Sequence, residues 1–112
     1  MADLASKQKY NDIASAIIKK QGTIIGIKLA IEKALKVEGL ALDGEGNVIN
    51  IQGDPQGTIK ELIQQYINLS GNTGLKFCQQ AAEPLIEKYP QLPIPEQLKS
   101  DYTVSKGFLG SF

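Results

Sequence analysis

Apolar residues recur along this chain with a period that changes four times, and each change marks an element. Tyr10, Ile13, Ala14, Ile17 and Ile18 step by three and four, which predicts a helix over 3–20 with Asp3 as N-cap. Lys19 and Lys20 suit its last turn, and Gly22 is read as its left-handed terminator. Lys7, Gln8, Asn11 and Ser15 fall on the side expected to face water.

From 23 to 37 the chain is at its most apolar, with Ile24, Ile25, Ile27, Leu29, Ile31, Leu35 and Val37. Ile25, Ile27 and Leu29 also alternate like a strand, but Ala30 to Lys36 is good helix material. Lys28, Glu32 and Lys36 lie four apart and form one solvated row of alternating sign. The segment is therefore read as a second helix, with Gly26 allowing close approach to a neighbour. A strand over 23–29 is the competing assignment. With apolar residues around more than half its circumference, this helix is expected at the centre of the fold.

After Gly39 the period becomes two. Leu40 and Leu42 face Val48, Ile49 and Ile51 across Asp43-Gly44-Glu45-Gly46-Asn47, a turn rich in residues that accept positive φ. This is a β-hairpin. Gly53-Asp54-Pro55 opens a third helix, with Thr58-Ile59-Lys60-Glu61 as a competing capping-box start. Ile59, Leu62, Ile63, Tyr66 and Ile67 form its apolar side, and Ser70-Gly71 ends it. Leu75, Cys78, Ala82, Leu85 and Tyr89 then trace a heptad-like seam on a fourth helix, expected to kink or divide at Pro84. Pro90, Pro93 and Pro95 impose an extended stretch, Glu96 to Lys99 suit one helical turn, and the chain finishes on Phe108, Leu109 and Phe112. The expected fold class is α+β: two N-terminal helices, a β-hairpin, two C-terminal helices and an extended C-terminal arm. The expected division is one compact domain over 1–98 and an arm over 99–112.

Composition narrows the chemistry. Among 112 residues there is no histidine, arginine or tryptophan, and one cysteine. The side chain that titrates near neutrality and the bidentate anion clamp are both missing. Twelve lysines balance twelve acidic residues, so the chain lacks the electrostatic footprint of a nucleic-acid binder. Lysines 7, 9, 19, 20, 28 and 33 flank a helix–turn–helix outline. Its second helix, however, is the most apolar element, whereas a recognition helix must offer polar groups to bases. No apolar run is long enough to span a bilayer, and the start has no hydrophobic signal core. A cytoplasmic, non-enzymatic protein without cofactor is the expectation.

Local motifs have structural explanations. Residues 43–47 place oxygen ligands at alternate positions, but Val48 stands where an EF-hand needs glycine and Asp54 where it needs a bidentate glutamate. The 53–58 loop lacks the lysine and glycine spacing of a phosphate loop. Cys78 lies on an apolar seam and reads as a packing residue. Pro90-Gln91-Leu92-Pro93 is a bare PxxP without the basic flank of such ligands.

Function then rests on surfaces. A two-stranded hairpin is marginal alone and its edges invite pairing. The expectation is a homodimer, with Leu40, Leu42, Val48, Ile49 and Ile51 of the hairpin and the apolar second helix at the interface. Phe108, Leu109 and Phe112 are expected to dock on their own domain or a neighbour. The role is that of a regulatory or assembly protein with protein partners, and no nucleic acid or membrane. The alternative is a small-ligand sensor with an apolar pocket between helices and hairpin.

Overall fold

A computed structural model describes residues 4–99 and residue 102. Four α-helices and one antiparallel hairpin follow in the order α1 (Leu4–Ile25), α2 (Ile27–Ala34), β1 (Leu40–Leu42), β2 (Val48–Ile51), α3 (Pro55–Ser70) and α4 (Asn72–Lys88). A single 3-10 turn, Glu96–Leu98, comes last. The mixed helix-and-strand fold is compact, with a Cα radius of gyration of 13.4 Å.

The central element is α1, which packs against α2, α3, α4 and β2. Its stripe of Tyr10, Ile13, Ala14, Ile17 and Ile18 is wholly buried and continues into Gln21, also buried. Asn11 and Ser15, expected in water, face the hairpin instead. Ser15 Oγ accepts from the Val48 N–H at 2.7 Å and donates to the Asn11 carbonyl, while Asn11 Nδ2 donates to the Ile49 carbonyl.

The two N-terminal glycines exchange the roles expected of them. Helix α1 runs through Gly22 to Ile25, and the break comes at Gly26, with φ 94° and ψ 138°. That conformation is open to glycine and strained for any L side chain. Gly22 is instead the point of close approach, since a Cβ there would lie 2.8 Å from Ile27 Cδ1. Residues 23–29 hold no strand. Helix α2 is shorter than 23–37 and is not central: it buries Ala30 and Ala34, half-buries Leu29 and Ile31, and leaves Ile27 exposed.

In the hairpin, Leu40 pairs with Ile51, Ala41 with Asn50 and Leu42 with Val48, with a bulge between Ala41 and Leu42. The extra residue on β2 lets Val48 and Ile51, three apart, both point inward. Asp43 organises the turn: its Oδ1 accepts from the Glu45 and Asn47 N–H groups and its Oδ2 from Asn47 Nδ2.

Asp54 caps α3 by accepting from the Gln56 and Gly57 N–H groups, and Pro55 takes the first helical position. The start is thus at Pro55, not at Thr58. Ile59, Leu62, Ile63, Tyr66 and Ile67 are all buried, as their spacing predicts. Helix α4 continues through Pro84 as one helix, burying Gly74, Leu75, Cys78 and Ala82. No helix of the described residues is long and apolar enough to cross a membrane.

Candidate functional site

Among the described residues no buried side-chain nitrogen or oxygen is left without a hydrogen-bond partner. Gln21, deep in the core, donates from Nε2 to the Gly74 carbonyl at 2.9 Å and to Cys78 Sγ at 3.4 Å. Tyr66 Oη donates to the Ala30 carbonyl at 2.7 Å, fastening α3 to α2. Burial pushes the Cys78 thiol up to about 12, against a smaller opposing effect of the Gln21 hydrogen bond. Burial also raises Tyr66. A protonated, enclosed thiol is not a nucleophile at neutral pH. These groups hold helices together.

Asp43 is held below the usual carboxylate range, chiefly by the Asn47 side chain and then by the Asn47 and Glu45 N–H groups. Both its oxygens are committed to the turn. No group of three or more His, Cys, Asp or Glu among the described residues is arranged to hold a metal ion.

Besides a depression of about 590 Å³ between the first half of α3 and the 94–97 segment, lined also by Tyr102, three surface depressions are lined by chemistry of different kinds. One of about 480 Å³ lies between the hairpin base and α3, lined by Glu38, Asp54 and Glu61 together with Gln52 and Thr58. It occupies the place foreseen for an apolar ligand pocket, but carboxylates line it. A second, of about 380 Å³, is formed by Ser6, Lys9 and the 88–93 segment, with Lys9 and Lys88 both over the Tyr89 ring. A third, also about 380 Å³, runs between α4 and the 94–99 segment and has apolar walls of Ile86, Ile94 and Leu98.

Apolar side chains are exposed elsewhere, on α2. Ile27, Ile31 and Leu35 recur every four residues and share one side of α2 and its C-terminal turn, with Ile24 just before the break. Ile24 is 48% exposed, Ile27 41% and Leu35 60%, while Ile31 is half-buried. The arrangement follows from the elbow at Gly26. The small residues Ala30 and Ala34 seat α2 against its neighbours, leaving Leu35 and much of Ile24 and Ile27 exposed, while Ile31 is half-buried against the core. Gly46 of the hairpin turn closes against Ile18 and Ile27, tying the elbow to the turn.

The hairpin candidates divide. Leu40, Val48 and Ile51 lie in the chain's own core, and Leu42 is half-buried against it. Ile49, in the bulged run, is 63% exposed. The outer edge of β2 meets α1, because Ser15 and Asn11 engage the Val48 N–H and the Ile49 carbonyl. Phe108, Leu109 and Phe112 lie outside the described residues. The sequence places the apolar second helix at the expected interface without telling that Ile24, Ile27 and Leu35 are the residues exposed there. The signal for them was the adjoining Lys28, Glu32 and Lys36 row, which marks the side of α2 nearest water.

Comparison with protein-family models, with curated proteins and with solved structures finds no match for this chain.

Proposed function

We propose that this protein acts through protein contacts, as a small assembly or regulatory protein that pairs with a second copy of itself through the outer side of α2. The observation that carries this reading is the exposure of Ile24, Ile27 and Leu35 along one side of a helix whose buried residues are Ala30 and Ala34, with Ile31 half-buried between them. Branched apolar side chains in one helical row form the usual core of a helix–helix contact.

Charge supports a copy of the same chain as the occupant. Lys28, Glu32 and Lys36 flank the apolar row with alternating sign. In an antiparallel two-fold pair centred near residue 30 or 34, Glu32 of each copy faces Lys28 or Lys36 of the other. A row of a single sign would repel its own image. The formal net charge of zero adds no long-range repulsion between copies. Two-fold pairing is also the commonest way for a soluble chain to cover such a surface. A cytoplasmic location belongs to the same reading and suits a single unpaired thiol.

Sedimentation equilibrium at micromolar concentration tests the proposal. The wild-type chain is expected at dimer mass. Leu35→Glu and Ile24→Glu, both at exposed positions, are expected at monomer mass with native circular dichroism, and with a melting temperature lowered only by the lost association and no longer dependent on concentration. A wild-type monomer across this range, or a dimer indifferent to both substitutions, overturns it.

A further inference from the structure

Gln79 anchors the last part of the fold. Its Nε2 donates to the carbonyls of Gln97 at 2.9 Å, Lys99 at 3.0 Å and Tyr102 at 3.0 Å, and the Tyr102 N–H returns to the Lys99 carbonyl. Gln79 also lines one end of the groove between α4 and the 94–99 segment. Tyr102 itself lines a separate depression with α3 and the 94–97 segment, but its carbonyl bond to Gln79 sets it beside one end of the α4 groove.

The groove is apolar within and acidic at its rim. Ile86, Ile94 and Leu98 form its walls, and Glu83 and Glu87, four apart on α4, are exposed along one side with Lys99 at the end. Residues 103–112 read Thr-Val-Ser-Lys-Gly-Phe-Leu-Gly-Ser-Phe. Their one charge is Lys106, opposite in sign to the rim, and their large apolar residues are Phe108, Leu109 and Phe112. Five residues lie between Tyr102 and Phe108, so six Cα-to-Cα steps give a reach of up to about 20 Å. From Gln79 to Glu87 the helix rises only about 12 Å, so the spacer covers the length of the groove.

We propose that residues 103–112 dock on their own chain, with Phe108 and Leu109 in the groove between Ile86, Ile94 and Leu98, and Lys106 beside Glu83 and Glu87. Attachment at Tyr102 favours the chain's own groove over a neighbour's, because the tethered segment is presented at high effective concentration. Burying each large apolar side chain is worth about 1.5–3 kcal/mol. This surface is separate from the outer side of α2, so it stands or falls independently of self-association through that helix.

The absence of tryptophan supplies the test. Phe108→Trp in the full chain installs a sole indole. Docking predicts blue-shifted emission and severalfold weaker acrylamide quenching than for the same protein in urea, unchanged on dilution from tens of micromolar to nanomolar. Adding Ile86→Asp is expected to return both readings to their solvent-exposed values. If that variant loses helicity by circular dichroism, the exposed pair Glu83→Lys and Glu87→Lys replaces it and is expected to raise quenching. Solvent-exposed emission in the parent overturns the proposal. So does a blue shift that survives the groove variant, and one lost on dilution assigns the segment to a neighbour's groove instead.

Discussion

Gly22 and Ile27 touch across the α1–α2 elbow: a Cβ on Gly22 would stand 2.8 Å from Ile27 Cδ1 and 3.3 Å from its Cα. The glycine inside α1 is there for space, and Gly26, at φ 94°, is there for conformation. Their substitutions should therefore differ in kind. Gly26→Ala strains the backbone whatever room surrounds it, and is expected to cost about 1–3 kcal/mol. Gly22→Ala gains about 1 kcal/mol of helix propensity against the contact with Ile27, so its net loss should be smaller. Urea unfolding of both variants compares them, and a larger loss for Gly22→Ala would refute the assignment.

Ser15→Ala should destabilise the chain by about 1–3 kcal/mol, because it leaves the Val48 N–H at the edge of β2 without its acceptor. The adjoining Asn11→Ala removes a longer bond, 3.3 Å to the Ile49 carbonyl, and should cost less. Amide hydrogen exchange gives the local readout. Val48 should exchange faster in Ser15→Ala, and unchanged protection there would count against the edge role.

Periodicity carried what depends on one face of one element. The stripe from Tyr10 to Ile18, the α3 face from Ile59 to Ile67, the Asp54 cap with Pro55 and the hairpin turn were all legible. What depends on a remote partner was not. Asn11, Ser15 and Gln21 are polar residues on α1 whose partners lie 38, 33 and 53 residues away, in β2 and α4. In one dimension they resemble any solvated polar residue. Gln79 is the same case, since nothing local tells that it gathers three carbonyls. The bulge at Ile49 likewise hides in the run Val48-Ile49-Asn50-Ile51, which reads as two-sided until the pairing with β1 is known. Gly22 and Gly26 illustrate the third kind. Two glycines four apart in an apolar segment look equivalent until the packing of Ile27 separates space from torsion. The candidate surface is legible as an element, the apolar second helix, but not as the side of it that stays exposed. Hydrophobicity alone puts α2 at the centre, whereas its fully buried residues are Ala30 and Ala34, and Ile27 and Leu35 stay exposed.

Asp43 should mark the acid side of the stability profile. Its carboxylate is stabilised in the folded turn by Asn47 and Glu45, so its folded value lies below that of the unfolded chain. The sign follows: the contribution is present above about pH 4 and disappears as pH falls through the lowered folded value. Asp43→Asn cannot titrate and should lack this part of the acid-induced loss. Melting temperatures between pH 2 and 6 make the comparison. Parallel curves for the two proteins, or a carboxyl carbon of Asp43 titrating in the ordinary range by NMR, would count against it.

Cys78 should mark the alkaline side. Burial holds its thiol protonated, up to about 12, in the folded chain, while the unfolded chain releases that proton near pH 9. Between those values the folded state binds the extra proton, so stability falls as pH rises, by up to about 1.4 kcal/mol per pH unit. Tyr10 and Tyr66 are shifted in the same direction from 10.0, so their contributions follow at higher pH. Cys78→Ala should cost about 1–2 kcal/mol at pH 7 for the small void it leaves, and Gln21 keeps its bond to Gly74 there. The variant should then hold its stability up to about pH 10, where the wild-type chain already declines from about pH 9. Urea midpoints measured from pH 7 to 11 give both slopes. The native thiol should also resist a disulfide reagent at pH 8 and react once urea unfolds the chain. Superposable slopes between pH 9 and 10, or rapid reaction of the folded protein, would show that Cys78 is not held in the closed contact with Gln21.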